Sequence, residues 1–159
     1  MLSLRKSRIL SAAVAVVLAG MTGIAFAQDK EAILKDRQAT MKEQGKDLQD
    51  VKAYLDAKGD LAQAKEGAAN LTKTTNRIPS LFPPGTGGPN PSGDYVAKPV
   101  IWSDWDKFLE AQKTAATKAN ALVVAVNGGD RAAIEVAFAD LGKNGCGGCH
   151  TTFREKIEK

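Results

Sequence analysis

The sequence predicts an all-α fold: an antiparallel up-down four-helix bundle with one long Pro/Gly-rich crossover between helices 2 and 3. Two observations predict it. On both sides of a central segment, Ala, Lys, Glu, Leu and Gln dominate and the apolar residues recur at helical spacing. All 6 prolines fall within that segment, "PSLFPPGTGGPNPSGDYVAKP", which is therefore the one long loop. No alternating apolar pattern requires a β-strand.

The first 27 residues have the pattern of an export signal. A basic start, "RKSR", precedes the apolar run "ILSAAVAVVLAG" and the small-residue cleavage pattern Ala25-Phe26-Ala27. We therefore predict a cleaved signal peptide at 1–27 and one mature domain at 28–159, exported to the periplasm of a Gram-negative-type bacterium. A retained membrane anchor is the alternative, but the apolar run is shorter than the roughly 20 residues that span a bilayer.

The charge of the mature chain is close to neutral. Three of the 22 basic residues lie in the signal segment, which leaves 19 against 18 acidic residues in place of the formal +4 of the whole chain. This balance gives no support to a nucleic-acid partner.

The first helix carries a narrow apolar stripe. Leu34, Met41, Leu48 and Leu55 recur every seven residues, with Val51 beside them. This spacing is typical of a helix in an antiparallel bundle.

The second and third helices follow from their start and stop signals. Gly59-Asp60 ends the first helix, and Asp60 caps a second helix over about 61–75. After the loop, Ser103 with Asp106 resembles a capping box. One face of the third helix is then formed by Trp105, Phe108, Leu109, Gln112, Ala116, Ala119, Leu122, Val123 and Val126.

The fourth helix begins after the stop signal Asn127-Gly128-Gly129, with Asp130 as its cap. Its inward residues are Ile134, Phe138 and Leu141. Its second half is weakened by four glycines, each costing up to about 1 kcal/mol relative to alanine. We therefore expect a bulky group to pack against this end of the helix; the glycines are Gly142, Gly145, Gly147 and Gly148.

Both cysteines and the single histidine of the chain lie in Cys146-Gly-Gly-Cys149-His150. C-x-x-C-H is the pattern of covalent haem attachment. Thiols three residues apart lie on one face of a helical turn and can add to the two vinyl groups of a porphyrin, and His150 follows as the proximal iron ligand. Gly147 and Gly148 are expected to let the flat macrocycle approach the backbone.

Three other interpretations of the motif compete. A disulfide is the ordinary role of two cysteines in an exported protein. A thioredoxin-like dithiol uses the same spacing, but it normally opens a helix in a βαβ unit. A zinc site would need four ligands, and the chain has three soft ones. The histidine directly after the second cysteine favours haem attachment.

Four segments, in matching order and spacing, resemble class II cytochromes c, the family of cytochrome c′ and its low-spin relatives. They are "RQATM" at 37–41, "LFPPGTG" at 81–87, "KPVIWSDWDKF" at 98–108 and "CGGCHTTFR" at 146–154. The resemblance covers essentially the whole mature chain. It implies a four-helix bundle with one covalently attached haem c near one end. It also implies a one-electron carrier and not an enzyme, serving redox partner proteins of the periplasm or inner membrane, and a homodimer through the first two helices as one option.

Met41 resembles the family's distal residue, on the open side of the haem. If its thioether binds iron, the site is six-coordinate and low-spin, which suits an electron carrier. If it only packs against the porphyrin, the iron is five-coordinate and binds small gases such as nitric oxide and carbon monoxide. A methionine in an apolar helix stripe also needs no iron to explain it. The motif leaves these alternatives open.

The resemblance also assigns polar residues. It implies that Arg37, with Gln38 beside it, binds a haem propionate; a surface ion pair of Arg37 with Glu31 or Asp36 is the alternative. It implies that Arg154 lies on the proximal side of the iron, where it would shield the histidine; an exposed terminal arginine is the alternative.

Four residues in and after the crossover receive no haem role from the sequence. Tyr95 and Val96 occupy a segment where family members often carry polar residues at the haem edge; this chain departs from that pattern, so the resemblance assigns them no haem contact. Trp102 and Trp105 are expected to be core or interface anchors.

Overall fold

The computed structural model describes residues 12–88 and 93–157, and for residues 12–29 it describes the backbone without the side chains. The predicted signal peptide and its cleavage site lie outside the described side chains and stay a prediction. Within the described ranges, no helix combines the length and the apolar character needed to cross a bilayer.

The chain forms a closed ring of four helical segments. The helices are α1 (Ala12–Leu55), α2 (Leu61–Arg77), α3 (Val100–Ser103), α4 (Trp105–Gly128), α5 (Arg131–Asp140) and α6 (Gly148–Phe153). A π-helical turn, Leu141–Gly147, joins α5 to α6, so the three together are the fourth helix. α1 packs on α2, α2 on α4, and α4 on the fourth helix, which returns to α1. The predicted four-helix bundle is confirmed.

The helix starts follow side-chain caps. Asp60 and Asp130 act as predicted: each carboxylate accepts a backbone N–H of the first turn, at 2.8 and 2.9 Å. Gly129 ends α4 in the left-handed conformation, with φ of 75°. The capping box predicted at Ser103 is wrong. Asp104 caps α4 at 3.3 Å instead, because Ser103 is the last residue of the separate helix α3.

The crossover is more ordered than the sequence predicts. It holds a 3-10 turn, Ile78–Leu81, and a short strand β1, Tyr95–Ala97. β1 pairs antiparallel with β2, Arg154–Lys156, which directly follows α6. The expectation of no strand is therefore wrong. Strands of three residues are too short to produce a recognisable alternation in the sequence.

The core consists of two groups of buried side chains. One, the bundle cluster, fills the space between the helices and comprises Val51, Ala64, Ala68, Leu71, Ala119, Leu122, Val126, Ile134 and Leu141. The other, the aromatic cluster, joins the crossover to α4 and α6 and comprises Ile78, Leu81, Phe82, Ile101, Phe108 and Phe153. Phe108 lies at its centre, with ring centroids 5.0 Å from Phe82 and 5.3 Å from Phe153.

Candidate haem site

A cavity of about 490 Å³ lies beside the aromatic cluster, bounded by α1, the crossover, α4 and the C-terminal helix. Its volume falls in the range of about 300–1,000 Å³ that is usual for cofactor sites. All seven residues that the sequence predicts for the site lie in its wall: Arg37, Gln38, Met41, Cys146, Cys149, His150 and Arg154. Their roles toward a haem stay predictions, but the fold brings them to one place.

The two cysteines connect both parts of the core. Their thiols are free and half-buried; Cys146 packs against the bundle cluster and Cys149 against the aromatic cluster. Burial raises the pKa of both thiols, that of Cys149 to about 11. A redox dithiol needs the opposite, a lowered pKa that provides thiolate at neutral pH. The raised pKa of both thiols therefore disfavours the dithiol interpretation.

His150 follows Cys149 directly in the chain and is half-buried in the cavity wall. Burial, followed by the positive charge of Arg154, lowers the pKa of His150 to about 4. The imidazole is consequently neutral at neutral pH, which is the form that ligates a metal ion. In the described part of the chain, no cluster of three or more His, Cys, Asp or Glu side chains is arranged to hold a metal ion, as the zinc interpretation would need.

The glycines before and within the motif affect the packing and shape of the helix and not the cavity wall. Neither Gly147 nor Gly148 belongs to the cavity wall, so their expected role in admitting a macrocycle is not supported. A Cβ at Gly145 would lie 3.0 Å from Leu141 Cδ1 and 3.4 Å from Ala115 Cα, so this glycine permits the close approach to α4. The π-helical turn contains Gly142, Gly145 and Gly147 and ends within the attachment motif, and such turns are frequent at functional sites.

Met41 projects from α1 into the cavity wall. It is half-buried and packs against the aromatic cluster. Among the described residues of the wall, it is the one thioether. Gln38, one turn earlier on α1, and Lys42 also line the cavity.

Arg37 is buried, at 9% exposure, and its guanidinium fastens the crossover to α1. Nε donates to the Leu81 carbonyl at 2.9 Å, and the two Nη atoms donate to the carbonyl and the Oγ1 of Thr86 at 3.2 and 2.7 Å. The guanidinium also stacks on the Phe82 ring, 3.9 Å from its centroid. These contacts fix the residue in the cavity wall.

The alternative of a surface ion pair for Arg37 is wrong. Asp36 pairs with Arg77, and Glu31 pairs with Lys35. None of the ion pairs between described residues includes Arg37. Burial alone lowers its pKa to about 10, so the site holds a desolvated cation.

Sequence reasoning missed part of the wall at the crossover. Tyr95 and Val96, to which the sequence assigned no contact, both line the cavity, as does Phe82. The Arg154 guanidinium lies 4.1 Å from the centroid of the Tyr95 ring. The sequence carried no signal for this pair, because 59 positions separate residues that meet only through the β1–β2 pairing. Trp102 is the expected anchor: its indole N–H donates to the Phe82 carbonyl at 3.0 Å.

The profile of the protein family described as cytochrome c′ matches residues 32–154, which is more than half of the sequence. The chain belongs to the cytochrome c′ family. A cytochrome c′ of Pararhodospirillum photometricum is 35% identical over 128 residues, covering 79% of this chain and 98% of the relative. A cytochrome c-554 of Cereibacter sphaeroides is 38% identical over 99 residues, covering 61% and 71%.

Solved structures agree with the fold. Cytochrome c′ from Thermochromatium tepidum superposes with a TM-score of 0.72 at 26% identity, covering 80% of this chain and 97% of the other. The nitric oxide complex of a point variant of cytochrome c prime from Alcaligenes xylosoxidans gives 0.70 at 28% identity, with the same coverage.

Cytochromes c′ bind one covalently attached haem c. The cavity described above fits this group. It offers two protonated thiols three residues apart, a neutral imidazole beside them and a predominantly apolar wall of sufficient volume.

Proposed function

We propose that the protein is a periplasmic monohaem c-type cytochrome that carries one electron between redox partner proteins of the periplasm or inner membrane. Cys146 and Cys149 hold the haem covalently, His150 is the proximal iron ligand and Met41 is the sixth ligand. The bound haem supplies an iron that gains and loses one electron. The protein is a carrier and not an enzyme.

The chain's own residues keep this iron in a constant environment. Because its pKa is lowered, the His150 imidazole is already neutral at neutral pH and can bind iron without first losing a proton. The aromatic cluster supplies a wall of buried apolar side chains, which limits the access of solvent to the site. Both properties suit electron transfer.

The observation that carries the proposal is the position of Met41. Its thioether lies in the wall of the same cavity as His150, and it comes from α1 while the imidazole comes from the C-terminal helix. Met41 and His150 would together hold the iron from two separate helices of the packed bundle. A thioether ligand also favours ferrous iron and raises the reduction potential.

Arg37 and Gln38 would bind the haem propionate side. Each Nη atom of Arg37 donates one N–H to Thr86. Each Nη atom also carries a second N–H, which would be available to a propionate. A desolvated cation in a cavity wall is stabilised by an anionic partner, and a propionate supplies one. Arg154 would act on the proximal side.

A five-coordinate gas-binding protein that sequesters nitric oxide is the second candidate. The observation that favours it is the solved nitric oxide complex of the cytochrome c prime variant from Alcaligenes xylosoxidans, whose fold this chain shares. In this case Met41 only packs in the wall, as its contact with the aromatic cluster also allows.

Carbon monoxide distinguishes the two candidates. The absorption spectrum of the reduced, exported protein should stay unchanged on adding carbon monoxide at neutral pH if Met41 binds iron, and a large shift would favour gas binding. Met41→Leu keeps an apolar side chain of similar volume but removes the sulfur, so it should convert a low-spin spectrum to high-spin. Leu34→Ala, also in the cavity wall, is the control and should stay low-spin. A low-spin Met41→Leu variant would exclude methionine ligation.

A homodimer through α1 and α2 is part of the proposal. A related cytochrome c′ is described as having ligand-controlled dimer dissociation; it has a TM-score of 0.72 at 25% identity with this chain. Sedimentation of the reduced protein with and without carbon monoxide tests the state. A single monomeric species under both conditions would contradict a dimer.

A further inference from the structure

The C-terminus of the haem-attachment helix is tied to the crossover by a short β-ladder. Beyond the three paired residues of β1 and β2, the Lys98 N–H donates to the Phe153 carbonyl at 3.0 Å and the Ile157 N–H donates to the Asp94 carbonyl at 2.8 Å. These bonds begin immediately after α6. The ladder therefore restrains the helical turn that carries His150.

Tyr95 and Arg154 meet across this ladder, at the edge of the cavity. Tyr95 opens β1, Arg154 opens β2, and the guanidinium lies 4.1 Å from the ring centroid. Both residues line the cavity, although Tyr95 keeps 44% of its surface exposed. An exposed arginine without such a partner would sample many rotamers, because holding its long side chain in one place costs conformational entropy. The ring gives the guanidinium a fixed position at low entropic cost.

Arg154 lies close in the sequence to His150, the proposed iron ligand. It follows His150 by four residues, directly after the end of α6, and its positive charge is the second cause, after burial, of the lowered pKa of the imidazole. A fixed positive charge beside an iron site stabilises the reduced, less positive state, whereas a mobile charge in solvent is screened.

We propose that Tyr95 is a positioning residue of the iron site: its ring holds the Arg154 guanidinium beside the proximal face of the cavity, and the β1–β2 ladder aligns the two. The assignment rests on the haem attachment of the proposed function, and it holds whether or not Met41 binds iron. Tyr95 acts through Arg154 and needs no contact of its own with the iron.

The test is the reduction potential of the exported haem protein, measured by spectroelectrochemical titration. Tyr95→Ala and Arg154→Gln should each lower the potential, and the double variant should match Arg154→Gln alone, because the ring has no effect once the charge is absent. Tyr95→Phe keeps the stacked ring and should restore the original potential. Arg131→Gln is the matched control: this arginine lies near Tyr54, 5.8 Å from its ring centroid, outside the cavity wall.

Hydrogen exchange of the Lys98 and Ile157 amides separates positioning from unfolding of the ladder. The proposal expects the shifted potential in Tyr95→Ala while both amides stay protected; if that variant loses protection, Tyr95→Leu replaces it in the comparison. An unchanged potential in a variant with a protected ladder would overturn the proposal. Additive shifts in the double variant, or a Tyr95→Phe variant that behaves like Tyr95→Ala, would do the same. Failure of haem attachment is recognised separately, by a wild-type protein without haem absorption bands.

Discussion

Replacing Arg37 by methionine tests how strongly the crossover is fastened to α1. Methionine keeps an apolar stem but removes three hydrogen bonds, of 2.9, 3.2 and 2.7 Å, and the stacking on Phe82. Two buried carbonyls, those of Leu81 and Thr86, lose their charged donor, at about 1–3 kcal/mol each. The variant no longer buries a charged guanidinium, and the desolvation cost that this avoids offsets part of the loss. We expect Arg37→Met to lower the free energy of unfolding by about 2–4 kcal/mol.

The matched control is Arg77→Met. Arg77 pairs with the half-exposed Asp36, where an ion pair contributes at most about 1 kcal/mol, and makes one long hydrogen bond of 3.4 Å to Thr40 Oγ1. Guanidinium denaturation of both variants, followed by circular dichroism, measures the difference. If Arg37→Met is no less stable than Arg77→Met, the inference that Arg37 fastens the cavity wall is wrong.

Three further predictions concern close approaches and a buried carboxylate. Gly67→Ala would place a Cβ 2.8 Å from the Asp47 carbonyl oxygen and should destabilise the protein by about 1–3 kcal/mol. At Gly45 an added Cβ would meet nothing within 4 Å, so Gly45→Ala should stabilise the protein by about 0.5–1 kcal/mol. Equal thermal stability of the two variants would refute this prediction. Burial raises the pKa of Asp47, whose Oδ2 has no hydrogen-bond partner among the described residues, so its ionised form opposes folding. Asp47→Asn should therefore increase stability at neutral pH, with a gain that disappears as the pH falls below the raised pKa, and a gain that is independent of pH would contradict the reasoning. Gly87→Ala would place a Cβ 2.9 Å from the Trp102 ring and should change the near-UV circular dichroism of the indole, and an unaltered spectrum would refute the contact.

Much of the fold was predictable because it rests on local signals. The stripe on α1 and the caps at Asp60 and Asp130 each depend on residues within one or two turns of one another, and the structure confirms them. The attachment motif is also local. Its position in the cavity wall then follows from the packing of the fourth helix against α4.

The remaining features depend on long-range pairing. The β1–β2 ladder and the stack of Arg154 on Tyr95 join distant segments, and three-residue strands leave no periodic signal. Likewise, Arg37 binds carbonyl groups at positions 81 and 86, which are available only after the crossover has folded onto α1. The glycines of the fourth helix were expected to weaken it, and three of them, Gly142, Gly145 and Gly147, lie in a π-helical turn that the sequence did not predict.

The proposed function requires that one haem is covalently bound through Cys146 and Cys149 in the exported protein. Intact-mass measurement of the protein, exported by a bacterium with haem-attachment machinery, tests it most directly. We expect the measured mass to equal that of residues 28–159 plus one haem. A mass equal to that of the bare chain 28–159 would contradict it.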